Sequence, residues 1–376
     1  MVYLDNAATT PVSDSVAEAI YRSLKEDFGN PSALYDLGFS AQKKLDSARK
    51  TVAKAFGCSD DRLFFTGCGT EGNNIAILGA ARARKAWGKK VIVTGYEHPS
   101  VALTIESLAE EGFNVVSVRP GSDGNIDPDE IIDLVDSGTV LVAMMRVNNE
   151  TGAMIDVSSA AEKIRMKNKR TAIHCDNVQG FMKHTLDLDC IDTVSVSAHK
   201  IHGPKGIGAL YIRKGFNLQT PFHGGGQEKG YRSGTENVPY AVGFAEAVKS
   251  AGSISSHLSG ITDINNYMRS RLAHIDGIVI NSPENASPYI LNISVPGYRS
   301  ETMLHYLEMK GIYVSSGSAC SKGERSHTLS AMNLPDRLID SAIRISFSYD
   351  STHQDAEKFA DALTEGIKEL VNTNKR

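Results

Sequence analysis

Seven short apolar runs, separated by helical patterns, constrain the fold of this chain more than any other feature of its sequence. The runs cover 63–65, 91–93, 115–118, 140–145, 172–173, 194–196 and 209–212. Helical patterns between them cover 72–87, 100–111, 127–136 and 157–167. Buried strands that alternate with helices are typical of a parallel sheet with both faces covered. We therefore predict an α/β fold with a mainly parallel seven-stranded sheet covered by helices.

The pattern changes after a further helical stretch over 238–249. The segment 251–256 is small and polar, which favours a domain boundary. Beyond it, short predicted strands near 278 and over 290–293, 313–314 and 343–347 alternate with predicted helices over 300–310 and 353–371. We expect a large domain over 15–252 and a smaller α+β domain formed by 1–14 and 253–376.

The composition excludes several classes of protein. The net charge of -4 gives no basic surface for nucleic acid, and no apolar run approaches the length that crosses a bilayer. The acidic residue Asp5 comes too early for a signal peptide. The five cysteines form no C-x-x-C pair, which argues against a disulfide framework and a zinc site. We expect a cytoplasmic protein that binds small molecules and no nucleic acid, membrane or metal.

A lysine and an aspartate each close a predicted strand. Lys200 follows the run 194–196 and enters a glycine-rich turn, where partial burial favours the neutral amine that forms a Schiff base with an aldehyde cofactor. Asp176 closes the preceding strand, at the carboxyl edge of the sheet where ligands of such folds bind. An aspartate that keeps a pyridine nitrogen protonated makes the ring an electron sink. The pair therefore indicates pyridoxal 5'-phosphate (PLP), with Gln179 in reach of the phenolic oxygen.

A glycine-rich turn over 65–71 joins a predicted strand to a predicted helix. Its free N–H groups and the positive end of the helix suit a phosphate group. Gly67, Gly69 and Gly72 also spell G-x-G-x-x-G, and Glu97 follows the next strand, so a dinucleotide site competes for this turn. The lysine and the aspartate described above favour PLP over a dinucleotide.

Two further motifs point to unrelated enzymes. The run 223–226 resembles an esterase oxyanion loop, and 197–200 matches the S-x-x-K pattern of penicillin-binding proteins. The sequence contains no G-x-S-x-G elbow and no K-T-G element. Both interpretations therefore lack the companion residues that their chemistry needs.

Nearly the whole chain resembles a known enzyme family. The motifs that carry the resemblance are Tyr3-Leu4-Asp5-Asn6-Ala7-Ala8-Thr9-Thr10-Pro11, Gly29-Asn30-Pro31-Ser32, Val147-Asn148-Asn149-Glu150, Arg232-Ser233-Gly234-Thr235 and Ser315-Ser316-Gly317-Ser318-Ala319-Cys320. In order and length they resemble those of the cysteine desulfurases of the NifS/IscS type, which are class V aminotransferases and fold-type I PLP enzymes. The resemblance implies L-cysteine as the substrate, PLP as the cofactor of the large domain and a homodimer as the functional unit.

The resemblance also implies roles for individual residues. Lys200 would hold PLP as a Schiff base, Asp176 would pair with the pyridine nitrogen and Gln179 with the phenolic oxygen. His98 would stack on the ring and take part in catalysis, and Asn149 would lie beside the ring and the substrate. The implied phosphate contacts are Gly69, Thr70, Ser197, His199 and, from the neighbouring subunit, Thr235.

Arg344 and Cys320 complete the implied site. The planar guanidinium of Arg344 suits a bidentate grip on the substrate carboxylate. Cys320 lies in a run of Ser and Gly that can carry a thiolate into the cleft, where it would attack the substrate sulfur and become a persulfide. The products would be L-alanine and sulfur for a persulfide-accepting protein, either a scaffold or another carrier.

Several positions depart from the usual pattern of the family. Tyr35 and Arg146 stand where histidines are usual. The turn is Gly67-Cys68-Gly69 where Ser-Gly-Ala is usual, which trades a hydroxyl for backbone freedom. The stretch 321–327 looks shorter than in the members that serve a scaffold, which leaves the identity of the acceptor open.

Two other functions stay open from the sequence. A selenocysteine lyase or another class V aminotransferase-like enzyme would share the fold, since fold alone does not fix the reaction. Cys320 favours sulfur transfer. A non-catalytic binding subunit would explain Tyr35 and Arg146, but it gives no reason for the lysine, aspartate, cysteine and arginine to occur together.

Overall fold

The computed structural model describes residues 1–316 and 325–372. In these ranges the strands are β1 (Val2–Tyr3), β2 (Leu63–Thr66), β3 (Lys90–Thr94), β4 (Asn114–Val118), β5 (Thr139–Met145), β6 (Ala172–Asp176), β7 (Thr193–Ser197), β8 (Gly208–Ile212), β9 (Val279–Ile280), β10 (Ile290–Ser294), β11 (Ile312–Tyr313) and β12 (Ala342–Ser346). The helices are α1 (Asp14–Glu26), α2 (Asp36–Phe56), α3 (Gly69–Ala83), α4 (Pro99–Glu110), α5 (Pro128–Leu134), α6 (Val157–Lys167), α7 (Val238–Ala251), α8 (Ile254–Ala273), α9 (Ser300–Met309), α10 (His327–Ala331), α11 (Asp336–Ile339) and α12 (His353–Glu369).

The predicted seven-stranded sheet is confirmed. Its strand order is β2-β8-β7-β6-β5-β3-β4, and β8 runs antiparallel to both of its neighbours while the remaining neighbouring pairs are parallel. All residues of β5, β6, β7 and β8 are buried, as expected for central strands with helices on both faces. The edge strand β4 has two exposed positions, Asn114 and Ser117. Each apolar run of the sequence analysis corresponds to one strand of this sheet.

Two smaller sheets lie later in the chain. Strands β9, β10 and β12 form an antiparallel sheet in the order β12-β10-β9, and β1 pairs in parallel with β11. The first residues of the chain therefore lie beside strands near its other end. The chain then crosses towards the large sheet, where Thr10 N donates to His199 O (2.9 Å). The N-terminal segment thus links β11 and β12 to the end of β7.

The structure differs from the sequence predictions in where two helices begin. The helix expected over 72–87 is α3 and begins at Gly69, directly after the glycine-rich turn. The boundary expected at 251–256 contains the end of α7 and the start of α8, where Gly252 has a positive φ of 63° and Ser253 is the N-cap. Small polar residues therefore mark a turn between two helices here. The division into 15–252 and 1–14 with 253–376 stays a prediction.

Along the described residues, no helix combines the length and the apolar character that crossing a membrane requires. The core of the large sheet is built from α2, α7 and the strands, and the ring of Phe244 contacts the rings of both Phe65 and Phe181. A second apolar cluster joins β10 and β12 to α8, α9 and α12.

Gly208 allows the glycine-rich turn to approach the sheet. A Cβ atom at this position would lie 2.5 Å from Val196 O and 2.8 Å from the carbonyl carbon of Cys68, and both are backbone atoms. We predict that Gly208→Ala lowers the free energy of unfolding by about 2 kcal/mol or more, because backbone must move to admit the methyl group. Urea denaturation followed by circular dichroism measures the loss.

Gly260 provides the matched control for this substitution. It lies inside α8, and a Cβ atom there would meet no atom within 4 Å. Gly260→Ala should raise stability by about 0.5 to 1 kcal/mol, because alanine is the better helix former. Equal effects of the two substitutions would contradict the steric argument.

Candidate active site

The carboxyl ends of the parallel strands bring most of the predicted site residues to one edge of the large sheet. Asp176 ends β6 and Ser197 ends β7. The turn after β2 leads to Gly69, the turn after β3 to His98, and the turn after β5 to Asn149. Parallel strands place their carboxyl ends together, so residues distant in sequence meet there.

Lys200 ends a short 3-10 turn, Ala198–Lys200, that directly follows β7. Its Nζ donates to Ala7 O (2.5 Å) and Ala8 O (2.7 Å). The side chain of Gln179 donates through Nε2 to the same Ala7 O (2.8 Å). The N-terminal segment therefore holds the amine and the amide side by side.

The carboxylate of Asp176 is buried and has a hydrogen-bond donor on each oxygen. The residue is 4% exposed. Oδ2 accepts from Asn73 Nδ2 (2.8 Å), and Oδ1 accepts from Val178 N (2.9 Å). A donor on each oxygen holds this buried carboxyl group in place. A carboxylate in such a position is the partner that a protonated ring nitrogen needs.

His98 lies within electrostatic reach of both Asp176 and Lys200. Burial lowers the pKa of His98; the Asp176 carboxylate opposes this shift and the Lys200 amine adds to it. The imidazole Nδ1 accepts from Ser100 N (3.1 Å), so His98 is the N-cap of α4. The ring orientation is therefore fixed by the start of a helix, at a point where both Asp176 and Lys200 act on it electrostatically.

The start of α3 at Gly69 and the nearby Ser197 form a concave site, called the cradle below, that has unused hydrogen-bond donors. Its N-cap, Cys68, makes no side-chain capping bond. Among the described residues, Ser197 Oγ is buried without a hydrogen-bond partner. A Cβ atom on Gly69 would lie 2.7 Å from Val178 Cγ2, so only glycine fits this close approach without a shift. N–H groups at a helix start and an unpaired buried hydroxyl are the donor set that suits a phosphate group.

His199 and Gln179 are two further polar residues near Lys200. The pKa of His199 is lowered to about 3 by burial and by nearby amines, Lys200 first among them, so the imidazole is neutral. Its Nδ1 lies 3.2 Å from Thr9 Oγ1. Gln179 Oε1 is buried and has no hydrogen-bond partner among the described residues. An amine, a buried carboxylate and unpaired polar atoms around the cradle fit the groups of PLP.

Arg344 lies on β12 and is only 3% exposed, so it is not a surface arginine. Its Nη2 pairs with Asp5 Oδ1 (2.8 Å), and its Nη1 donates to Asn149 O (3.0 Å). The sequence analysis did not foresee the pairing with Asp5. The N-terminal segment therefore contacts both the amine and the guanidinium of the candidate site.

Other predicted residues are placed differently. Thr235 is exposed, and Thr70 at the start of α3 is also exposed. Arg232, near Thr235, pairs with Glu71 of α3 (3.2 Å), whose other oxygen accepts from Gly67 N. Cys320 lies outside the described residues.

The two histidine replacements have different surroundings. Arg146 donates through Nη1 to Ile155 O, and its backbone N donates to Asp176 O (2.9 Å), so it lies next to the carboxylate strand. Tyr35 is exposed and is the N-cap of α2. Of the two replacements, Arg146 therefore lies beside the candidate site, through its contact with Asp176.

Sequence reasoning missed Asn73 and Lys183. Asn73 is fully buried on α3 beside Asp176, and its signal is an asparagine on the buried face of a helix. Lys183 is 6% exposed and lines a small cavity together with Lys200 and Tyr289. Burial lowers the pKa of Lys183 to about 8, and its Nζ lies 5.4 Å from the centre of the Tyr289 ring.

Glu97 carries a proton beside this site at neutral pH. Its Oε1 accepts from Thr94 Oγ1 and from Met145 N (2.6 Å), whereas its Oε2 is buried with no hydrogen-bond partner in the described ranges. Burial raises the pKa of Glu97 to about 8, and the Asp176 carboxylate adds to the rise. The sequence offers Glu97 as the acid of a dinucleotide site, but the side chain is buried and its Oε1 is used within the protein.

We predict a pH-dependent stability that originates at Glu97. Because its pKa rises from 4.5 in the unfolded chain to about 8 in the folded protein, the folded state holds the extra proton between these values. The contribution of Glu97 to the free energy of unfolding should be fully present below pH 4.5. It should fall by about 1.4 kcal/mol per pH unit as the pH rises through this window. Glu97→Gln should flatten that slope in melting curves recorded from pH 5 to 8. An unchanged slope would contradict the assignment.

Comparison with known proteins gives the family of the chain. Residues 2–359 match the aminotransferase class-V family. A NifS/IcsS protein homolog of Lactobacillus delbrueckii subsp. bulgaricus is 38% identical, with 100% of this chain and 99% of the relative covered. A cysteine desulfurase IscS of Dictyoglomus turgidum is 37% identical, with 98% and 95% covered. The solved structure of a NifS-like protein has a TM-score of 0.92 and 37% identity, with 98% of this chain and 100% of that chain covered. The chain therefore belongs to the class-V aminotransferase family.

Proposed function

We propose that the chain is a PLP-dependent cysteine desulfurase that converts L-cysteine to L-alanine and transfers the sulfur to Cys320. The observation that carries the proposal is that the buried Asp176 carboxylate and the Lys200 amine follow the ends of the adjacent strands β6 and β7, beside the unpaired hydroxyl of Ser197. Class-V aminotransferases are PLP enzymes, and the relative from Dictyoglomus turgidum carries the name cysteine desulfurase. Both facts support the same chemistry.

The cofactor contacts follow from the donors at the carboxyl edge of the sheet. We assign the phosphate to the start of α3, with Gly69 and Thr70, and to Ser197 and His199. Asp176 would hold the ring nitrogen, Gln179 the phenolic oxygen, and Lys200 the aldehyde carbon. PLP bound in this way withdraws electrons from the Cα atom of an amino acid. We propose that residues 15–252 form the domain that binds it.

Arg344 would orient the substrate through its carboxylate. Its guanidinium is buried and already directed by Asp5 and by the carbonyl of Asn149. Its Nε is buried without a hydrogen-bond partner among the described residues, so it has a donor that an incoming carboxylate can use. Asn149 lies next to the guanidinium, which supports its assignment to the substrate side of the ring.

Lys200 and His98 would move the protons. Lys200 Nζ, when it is not bonded to the cofactor, takes the proton from Cα, and the carbonyls of Ala7 and Ala8 stabilise the resulting ammonium. Burial lowers the pKa of His98, which favours its neutral imidazole. A neutral imidazole suits a group that exchanges protons near neutral pH.

Cys320 would accept the sulfur. Its thiolate attacks the substrate sulfur, so an S–S bond forms while the C–S bond breaks, and the carbon keeps the electron pair and gains a proton. One cysteine and one thiol give one alanine and one persulfide, so atoms and electrons balance. The persulfide would then pass to an acceptor protein, which we propose as the partner of this enzyme.

An exposed apolar strip supports a homodimer. The strip consists of Phe28, Leu34, Tyr35, Leu37 and Phe39, all exposed within twelve residues. The strip folds back on itself, since Gly29 lies against the backbone of Leu37. Monomers rarely expose so many neighbouring apolar side chains. We propose that a second copy covers the strip and that its Thr235 reaches the phosphate of the neighbouring site.

We predict that Cys320→Ala abolishes alanine formation but leaves PLP binding intact, because the thiol accepts sulfur and does not hold the cofactor. Alanine measured by chromatography and persulfide measured by mass spectrometry report the two halves of the reaction. Cys190→Ala is the matched control: it replaces a partly buried cysteine outside the site and should keep full activity. Undiminished sulfide release by Cys320→Ala, or turnover of selenocysteine alone, would contradict the proposal.

We predict that Phe39→Asp produces monomers with weaker PLP binding, because a charge in the strip opposes dimerisation and removes Thr235 of the second copy from the site. Sedimentation velocity gives the oligomeric state, and fluorescence titration gives the affinity for PLP, which should fall at least tenfold. Met166→Asp places the same charge on another exposed apolar residue and should remain dimeric. A Phe39→Asp protein that stays dimeric would exclude this surface.

A further inference from the structure

Three hydrogen bonds connect two strands and one helix behind Asp176. His174 on β6 and Thr193 on β7 are directly paired in the sheet, and His174 Nδ1 lies 2.9 Å from Thr193 Oγ1. His174 Nε2 lies 3.0 Å from Asn73 Oδ1 on α3. Asn73 Nδ2 then donates to Asp176 Oδ2 (2.8 Å). The chain of contacts therefore runs from the sheet through the helix to the carboxylate.

The amide of Asn73 has only one satisfactory orientation. Besides Asp176, its Nδ2 also donates to Ser100 Oγ (2.9 Å), so both amide hydrogens are used. A flipped amide would turn Oδ1 towards the carboxylate, where two acceptors repel each other. Oδ1 must therefore accept from His174, and this requires a hydrogen on His174 Nε2.

His174 is suited to this task because it is uncharged. It is fully buried, and burial lowers its pKa to about 3. With the hydrogen on Nε2, its Nδ1 is an acceptor and Thr193 Oγ1 donates to it. All hydrogen-bonding atoms of the ring and of the Asn73 amide are satisfied, and no charge is added next to Asp176.

The same amide also reaches His98. Ser100 Oγ accepts from Asn73 and lies 2.8 Å from His98 Nδ1. His98 Nδ1 accepts from Ser100 N. Asn73 therefore connects the carboxylate and the imidazole of the candidate site through its two N–H groups.

We propose that Asn73 and His174 are positioning residues that aim the Asp176 carboxylate at the ring nitrogen of the cofactor, where it holds the ring proton. This inference rests on the proposed function, because it assigns the ring nitrogen to Asp176. Without the Asn73 donor, the carboxylate loses the hydrogen bond that fixes its orientation, and it no longer holds the proton on the ring nitrogen. The loss of that ring proton weakens the electron sink.

The direct test uses protein loaded with PLP labelled with ¹⁵N in its ring. The ¹⁵N chemical shift reports whether the ring nitrogen carries a proton. In the wild-type protein the nitrogen should be protonated. In Asn73→Leu, which has a similar size but no donor, the shift should move towards the unprotonated value, and kcat/KM should fall about 10- to 100-fold, as for one lost hydrogen bond to a charged group.

Asn74 offers a matched control on the same helix. It is partly exposed and donates to Thr70 O (2.9 Å), not to Asp176 or His174. Asn74→Leu should keep the wild-type ¹⁵N shift of the ring. An Asn73→Leu protein with lower thermal stability but a wild-type ring shift would overturn the proposal, since its role would then be structural.

A measurement on the unaltered protein covers the case in which Asn73→Leu does not fold. Histidine labelled with ¹⁵N should show His174 as the neutral form with its hydrogen on Nε2 at pH 5 to 8, and a His174→Gln protein identifies the signal. A hydrogen on Nδ1, or a charged ring, would overturn the proposal. Failure of the wild-type protein to bind PLP at all would instead contradict the proposed function.

Discussion

The burial of one carboxylate organises this end of the molecule. Asp176 is 4% exposed, and an unpaired buried carboxylate would cost several kcal/mol. Donors from α3 and from the turn after β6 meet its two oxygens. These contacts require α3 to lie over the carboxyl ends of β6 and β7, which also places the start of α3 beside Ser197. The same helix, α3, therefore donates a hydrogen bond to Asp176 and forms the cradle.

The N-terminal segment provides the second constraint. The carbonyls of Ala7 and Ala8 accept from Lys200, and Asp5 pairs with Arg344. A strand of two residues, β1, anchors this segment to β11. A single stretch of chain thus contacts both Lys200, beside the large sheet, and Arg344 on β12. The candidate site therefore depends on how this stretch joins the two sheets.

The sequence predicts the fold well where physical signals are local. Buried strands appear as apolar runs, and a lysine or aspartate at the end of such a run must lie at the carboxyl edge, so Lys200 and Asp176 could be identified. Asn73 could not, because only the packing of α3 on the sheet shows that it faces a carboxylate. The pairing of Asp5 with Arg344 joins residues 339 positions apart and has no local signal. The start of α8 could not be predicted, because the polar residues there are equally common in a turn and in a helix cap.

The distant contacts of the N-terminal segment have a consequence for biosynthesis. The bond from Lys200 to Ala7 spans 193 residues, and that from Asn6 to Ser346 spans 340 residues. During translation the large sheet can form as soon as β8 has left the ribosome, whereas β12 is synthesised later. Ala7 and Ala8 can therefore meet Lys200 before Asn6 finds its partner on β12.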